Sequence, residues 1–171
     1  FEIIKLLGKA GAEMNTSNPA YTPLLFAISQ GSKELVQTLL EAGANPNAKN
    51  QSGQLPIYRA LDNKELLELL VKAGADVDAL DSSGYTPLLM AVQTSNKDAV
   101  EILVKAGADK SRKDQNGNTP LDLASQYDQQ DLVDLLKEPE KESAQEVAGE
   151  WKQFPAGFGS KECTIVTAAK L

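Results

Sequence analysis

The residues of this chain that could do chemistry are mainly carboxylates in its loops. Aspartates recur at Asp76, Asp78, Asp81, Asp109 and Asp114. A cluster of carboxylates could bind a cation, but these follow a repeating loop, and no compact run resembles a calcium-binding loop. We therefore expect them to cap loops and form turns, because Asp accepts hydrogen bonds from nearby backbone N–H groups. No metal and no cofactor is predicted.

Nucleophilic catalysis is disfavoured by the residues available. The chain has one cysteine, Cys163, and no histidine. A cysteine or serine nucleophile needs an adjacent base, which is most often histidine, and histidine is also the usual nitrogen ligand of zinc. The sequence therefore predicts a protein that is not an enzyme and has no small-molecule substrate.

Charge and hydropathy restrict the class of partner. The formal net charge of −7 disfavours nucleic acid and anionic lipid, which need an excess of Lys and Arg on one face. No stretch approaches the roughly 20 apolar residues that span a bilayer. A single cysteine fits a reducing compartment, and we expect a cytoplasmic protein. The net charge favours a protein partner that is neutral or basic.

The chain is organised by an internal repeat. Gly-Ala pairs begin at residues 11, 43, 74 and 107, and prolines stand at 23, 56, 87 and 120, so two markers share one period. Each proline suits the first turn of a helix, because the missing N–H is not needed there. A second stretch carries apolar residues one turn apart, and Gly then ends it. Each unit thus reads as an inner helix, a turn, an outer helix and a polar loop.

These residues resemble the ankyrin repeat, with its Thr-Pro-Leu-His-x-Ala pattern. The resemblance rests on residues 81–91, 114–121 and 43–48. It implies an all-α solenoid of stacked helix-turn-helix units with projecting β-turn loops. We expect a partial first repeat at 1–16, then repeats at 17–49, 50–80, 81–113 and 114–138, the last being terminal. The remaining 139–171 read as a charged linker and an apolar tail, whose Trp151 and Phe154 are expected to pack on the last repeat.

Two departures from the family pattern bear on structure. The motif histidine is replaced in every repeat, by Leu25, Tyr58, Leu89 and Asp122. In the family that imidazole hydrogen-bonds neighbouring loops, so the replacement puts such bonding in question. Counting the complete repeats only, the second repeat at 50–80 is two residues shorter between its proline and its outer helix. This predicts a tighter turn between its helices.

The resemblance implies a non-catalytic, monomeric interaction module that binds a protein on its concave face. The alternative is a regulatory or targeting arm of a larger enzyme whose catalytic domain lies outside this chain. We expect Tyr21 and Tyr85 to act as anchors, since aromatic residues often dominate interfaces. The candidate partner-binding residues lie on loop tips and inner helices: Asn18, Tyr21, Gln30, Gln51, Gln54, Tyr58, Arg59, Ser82, Ser83, Tyr85, Met90, Gln93, Asn116, Asn118 and Tyr127.

Overall fold

The structure is a computed structural model, and it describes residues 22–137. Eight helices lie in this range, and they form four pairs: α1 (Pro23–Ser29) with α2 (Lys33–Glu41), α3 (Pro56–Arg59) with α4 (Lys64–Lys72), α5 (Pro87–Gln93) with α6 (Lys97–Lys105), and α7 (Pro120–Gln126) with α8 (Gln130–Lys137). Helices are the only regular secondary structure between residues 22 and 137. The predicted partial first repeat, Asn18, Tyr21, Trp151 and Phe154 lie outside the described residues.

Short-range chemistry sets where these helices begin and end. A proline starts each of the inner helices α1, α3, α5 and α7, as predicted. Thr22, Thr86 and Thr119 precede three of them, and each threonine hydroxyl accepts a backbone N–H from the first turn. Beyond the outer helices α4 and α6, Gly74 and Gly107 have φ of +86° and +84°. Glycine adopts this left-handed conformation without steric strain, and it allows the chain to turn into the next loop.

The predicted apolar stripe of the outer helices faces the core. Leu70 and Leu103 are 0% exposed and Leu39 is 4% exposed. Inner helices carry a small residue four positions after each proline, and Ala27, Ala60, Ala91 and Ala124 are likewise 0% exposed. Small side chains there let neighbouring helices approach closely.

The helices pack in two layers. Inner helix α1 packs on α3, and α5 packs on α7, while the outer helices contact one another in the order α2, α4, α6, α8. Each inner helix also packs on the outer helix of its own repeat. Each repeat therefore buries its apolar residues both between its own two helices and against its neighbours, as stacked repeats do.

The second repeat differs from the others in its inner helix. Helix α3 has 4 residues, whereas α1, α5 and α7 have 7 each. The expected tighter turn is wrong, because residues 60–63 separate α3 from α4 while only 94–96 separate α5 from α6. The chain absorbs its missing residues by losing most of one helical turn. Leu55 also precedes α3 without a side-chain cap, so this helix has the weakest local start of the four.

Candidate protein-binding surface

The loops that precede the inner helices are held in one conformation by their own side chains. In the third repeat the Asp81 carboxylate accepts the N–H groups of Ser83 and Tyr85, at 2.8 and 2.9 Å. Asp114 accepts those of Asn116 and Asn118 in the same way, at 2.9 and 2.8 Å. These aspartates are the turn formers that the sequence predicted. Their loop tips are therefore fixed in the absence of any partner.

In the second repeat, Tyr58 stands at the position of the motif histidine and hydrogen-bonds the next loop. Its hydroxyl lies 2.6 Å from the carbonyl oxygens of both Ala79 and Tyr85, on the two sides of the next loop. A phenol has one proton, which it can donate to either carbonyl or share between them. The loss of the histidine therefore does not abolish bonding between repeats at this position.

The environment of Tyr58 also favours its neutral form. Burial raises the pKa of the Tyr58 phenol well above its ordinary value, and the negative charges of Asp81 and Asp76 contribute to the increase. The hydroxyl therefore keeps its proton and remains a donor throughout the physiological range.

Polar side chains supply further bonds between neighbouring loops. The Asn47 amide donates to the Gly74 carbonyl at 3.1 Å and accepts the Asp76 N–H at 2.8 Å. One repeat later the Asp78 carboxylate accepts the Asp109 N–H at 2.9 Å. These contacts fix the spacing of consecutive loops.

The loop carboxylates already accept hydrogen bonds from groups within the protein. Hydrogen bonds from the Asn118 backbone, and then from Asn116, lower the pKa of Asp114. The Ser111 hydroxyl and N–H lower the pKa of Asp109 in the same way. Between residues 22 and 137, no group of three or more carboxylate or thiol side chains is arranged to hold a metal ion.

The predicted partner-binding residues separate into two groups by exposure. We call the loop tips and the exposed side of the inner helices the inner surface. Its exposed members among the predicted residues are Gln30, Gln51, Gln54, Arg59, Ser82, Ser83, Gln93, Asn116 and Tyr127. Four predicted residues, Tyr58, Tyr85, Met90 and Asn118, are instead half-buried.

Tyr85 is more deeply involved in the fold than its loop position suggested. Its side chain packs against the hydrophobic core, while its N–H and carbonyl bond to Asp81 and Tyr58. Truncation of the Tyr85 side chain would therefore also remove contacts with the core. Its role as an anchor for a partner stays a prediction.

Two exposed apolar residues of this region were missing from the sequence-based set. Phe26 on α1 is 50% exposed and Leu80, just before the third loop, is 47% exposed. A sequence signal existed for Phe26, since it stands three residues after its proline, as do the predicted Arg59 and Met90. Leu80 corresponds to Lys49 and Lys113 in the adjacent repeats, so the repeat pattern itself does not mark this position as apolar.

The outer helices present a different surface, rich in paired charges. Lys64 on α4 contacts Asp98 on α6 at 2.8 Å, and Lys97 on α6 contacts Asp131 on α8 at 3.1 Å. The hydrogen bond that Lys64 donates to Asp98, together with the negative charge there, raises the pKa of Lys64. We call the exposed side of the outer helices the outer surface. Its opposite charges are arranged to meet one another across repeats.

Comparison with known proteins agrees with this architecture. A family model described as ankyrin repeats in three copies matches residues 1–81 and 57–146. The chain belongs to the ankyrin-repeat family. Proteins of this kind are built from stacked helix pairs, as seen here in α1 to α8.

Two curated relatives share part of the sequence. Rabankyrin-5 of Mus musculus is 41% identical over 56 residues, which are 33% of this chain and 5% of the relative. Rabankyrin-5 of Homo sapiens matches with the same identity and the same coverage. The aligned segment thus spans about one twentieth of the length of these relatives.

Family membership defines the general class of activity. Ankyrin repeats generally serve as protein-interaction modules and are generally non-catalytic. No helix within residues 22–137 has the length and apolar character needed to cross a membrane. Protein partners are accordingly the class of ligand that the family suggests.

Proposed function

We propose that this protein binds a protein partner on its inner surface, the concave face of the array. The supporting observation is that the loop tips are fixed in advance while their outward side chains remain available. Asp81 and Asp114 hold the backbone of two loops, and Tyr58 ties one of them to the preceding repeat. A surface that is ordered before binding loses less conformational entropy when it meets a partner.

The composition of the inner surface suits such contacts. Gln51, Ser82 and Gln93 are exposed, and their side chains make no hydrogen bond to another residue between 22 and 137. Amides and hydroxyls can donate and accept, so they can pair with a partner's backbone and polar side chains. Exposed Tyr127 and Phe26 add apolar area of the kind that anchors protein interfaces.

Part of the outer surface offers less to a partner, because Lys64 and Lys97 already contact carboxylates of the next repeat. Binding there would require separating Lys64 from Asp98 or Lys97 from Asp131, or burying each pair intact. Desolvating such ions costs free energy that new contacts must offset. We therefore assign binding to the inner surface.

Photo-crosslinking distinguishes the two surfaces even when the partner is unidentified. A benzophenone amino acid is placed singly at Gln51, Ser82 or Gln93 on the inner surface. The matched controls carry it at Glu65 or Lys105, which are exposed on the outer helices. Each purified full chain is irradiated in the same cell extract, and the crosslinked species are compared by mass spectrometry.

We expect the inner-surface positions to capture one shared protein and the outer-helix positions to miss it. Capture of a shared protein by Glu65 and Lys105 alone would place binding on the outer helices and overturn the proposal. Equal capture at all five positions would also contradict it, because a specific complex buries one face only.

A further inference from the structure

Three cations stand exposed on the inner surface although the protein as a whole is acidic. Arg59 lies at the end of α3, while Lys49 and Lys113 immediately precede the loops of the second and fourth repeats. All three are exposed, and none lies within ion-pair distance of a carboxylate of the described range, although the charge of Lys113 contributes to the lowered pKa of Asp122. By contrast, Lys64 and Lys97 on the outer helices are paired. Unpaired cations can attract a negatively charged ligand.

Apolar residues occupy the equivalent positions between these cations. Leu80 stands where the neighbouring repeats have Lys49 and Lys113, and it is 47% exposed. In the inner helices, Phe26, Arg59 and Met90 each stand three residues after the proline of their repeat. Two equivalent positions of the repeat therefore alternate between cation and apolar residue along the chain, and the alternation has opposite phase at the two positions.

Leu80 is held in its exposed position by bonds on both sides. The carbonyl of Ala79, its predecessor, lies 2.6 Å from the Tyr58 hydroxyl. Asp81, its successor, caps the loop through the N–H groups of Ser83 and Tyr85. An exposed apolar residue on a fixed backbone can act as an anchor without first paying an ordering cost.

The carboxylates nearest to these positions are largely engaged in their own loops. Asp81 and Asp114 accept backbone N–H groups, and Asp122 accepts the N–H of Thr119 at the start of α7. Hydrogen bonds from N–H groups stabilise these carboxylates, whereas Lys49 and Lys113 are exposed. Asp62, next to α3, is an exposed exception. Screening confines each charge to roughly 8 Å at physiological salt, so the local cations outweigh the distant acidic helices.

We propose that the partner presents an acidic, extended segment that crosses the loop bases. This inference rests on the proposed function of the inner surface. The segment places an apolar side chain on Leu80 and carboxylates on Lys49 and Lys113. It replaces the neutral or basic partner that the net charge alone suggested, because binding depends on the local field at the contact surface.

The spacing of the repeats sets the spacing expected in the partner. Packed helices are about 8 to 10 Å apart, so Lys49 and Lys113, two repeats apart, are separated by about 20 Å. An extended chain advances about 3.3 Å per residue. The segment therefore carries two acidic residues about six positions apart, with an apolar residue about midway between them.

Selection from a library tests this chemistry directly. Random peptides about twelve residues long, sufficient for two repeats, are displayed and selected on this chain at physiological salt, where screening limits repulsion by distant carboxylates. We expect enrichment of Asp and Glu about six positions apart with a Leu, Ile, Val or Phe between them. A synthetic copy of the best peptide is then measured by fluorescence anisotropy against defined variants.

The variants separate local attraction from general charge effects. We expect the double variant Lys49→Gln with Lys113→Gln to weaken the peptide at least about fivefold, as the loss of two modest ion pairs does. The matched control, Lys72→Gln with Lys105→Gln, removes the same charge from the outer helices and should change affinity less than about twofold. Leu80→Ser should weaken the peptide by a further severalfold.

Each other outcome counts against the inference. Enriched peptides that are basic or uncharged and that are weakened by Ser82→Trp would refute the acidic partner while leaving the inner surface as the binding face. Peptides that respond only to the Lys72 and Lys105 changes would refute both proposals. A selection that enriches no sequence would refute the inference, since the surface would then lack the affinity claimed for it.

Discussion

The outer and inner surfaces satisfy their polar groups in different ways. On the outer helices, lysines and aspartates of neighbouring repeats contact each other, as Lys64 does Asp98. On the inner surface, hydrogen bonds fix the backbone of the loops, and side chains such as Gln51 and Ser82 are left unbonded within the described range. Side-chain bonds thus join neighbouring helices on the outer side and fix the conformation of the loops on the inner side.

This contrast indicates that exposure alone does not identify a binding face. Glu65 and Gln51 are both exposed, yet only Gln51 lies on a loop whose conformation is set by a capping side chain, Asn50. A preorganised backbone with free side chains is better suited to specific recognition than a solvated helix with mobile charges. Substitutions in the core, on the inner surface and on the outer surface should therefore have different effects.

The largest loss of stability is expected from substitutions in the core that lies between the inner and outer surfaces. Leu103 is 0% exposed, so Leu103→Ala should lower the free energy of unfolding by about 2 to 5 kcal/mol, as buried leucine truncations do. Leu80→Ala removes the same atoms from the inner surface and should cost no more than about 0.5 kcal/mol. Urea denaturation measures both. Equal losses of unfolding free energy would mean that Leu103 is not a core residue or that Leu80 is not a surface residue.

Tyr85 should show an intermediate effect, because it belongs to both the core and the inner surface. Its half-buried ring packs on the core, so Tyr85→Ala should lower the free energy of unfolding by about 1 to 2 kcal/mol. Binding of a crosslinked partner should also weaken by more than about 1 kcal/mol. Calorimetric titration below the melting transition separates the two effects, and normal affinity in the folded variant would remove Tyr85 from the interface.

Tyr58 provides a sharper test of how the loops are fixed. Tyr58→Phe keeps the ring but leaves the Ala79 and Tyr85 carbonyls without their donor, so stability should fall by about 1 kcal/mol. Tyr127→Phe is the matched control, since its side chain is 48% exposed and makes no hydrogen bond to other described residues. An unchanged free energy of unfolding in Tyr58→Phe would show that the hydroxyl is not needed to hold the third loop.

Alkaline pH should lower the stability of the protein, because it removes the proton of the Tyr58 hydroxyl. Because the Tyr58 pKa is raised in the folded state, the unfolded chain loses this proton first, near the ordinary tyrosine pKa of about 10. Stability from this group is therefore complete below about pH 10 and declines above it. The free energy of unfolding should fall more steeply with rising pH in the natural protein than in Tyr58→Phe. Parallel curves would contradict the assigned shift.

The smallest effect is expected on the outer surface. Lys64→Gln removes the contact with Asp98, but this pair is well exposed and solvent screens it. The melting temperature should therefore not change measurably, and partner affinity should stay the same. A clear loss of affinity would indicate that the outer charges take part in binding.

Much of the fold was predictable from sequence because its signals are local and repeated. Pro87 at the start of a helix, Gly107 at the end and Leu103 in the stripe each act through nearby backbone and a regular period. The shortened helix α3 was not predicted correctly, since a two-residue deletion can shorten either a turn or a helix. The structure shows that the helix is the shortened element, since α3 ends at Arg59 and residues 60–63 lie between it and α4.

The candidate surface was predictable in position but not in detail. Loop-tip residues such as Gln51 and Ser82 follow from the repeat itself. The double role of Tyr58 did not, because its partners Ala79 and Tyr85 are 21 and 27 residues away. Side-chain contacts between repeats depend on how the loops stack, which the period alone does not give.

A comparison of affinities tests the central claim most directly. Ser82→Trp with Gln93→Trp places two bulky side chains on the inner surface, and Glu65→Trp with Lys105→Trp places the same residues on the outer surface. The Kd of each folded double variant for the crosslinked partner is measured by calorimetry. Binding on the inner surface predicts a loss of more than about tenfold for the first pair, or about 1.4 kcal/mol, and less than about twofold for the second. The reverse order would contradict the assignment of the binding face.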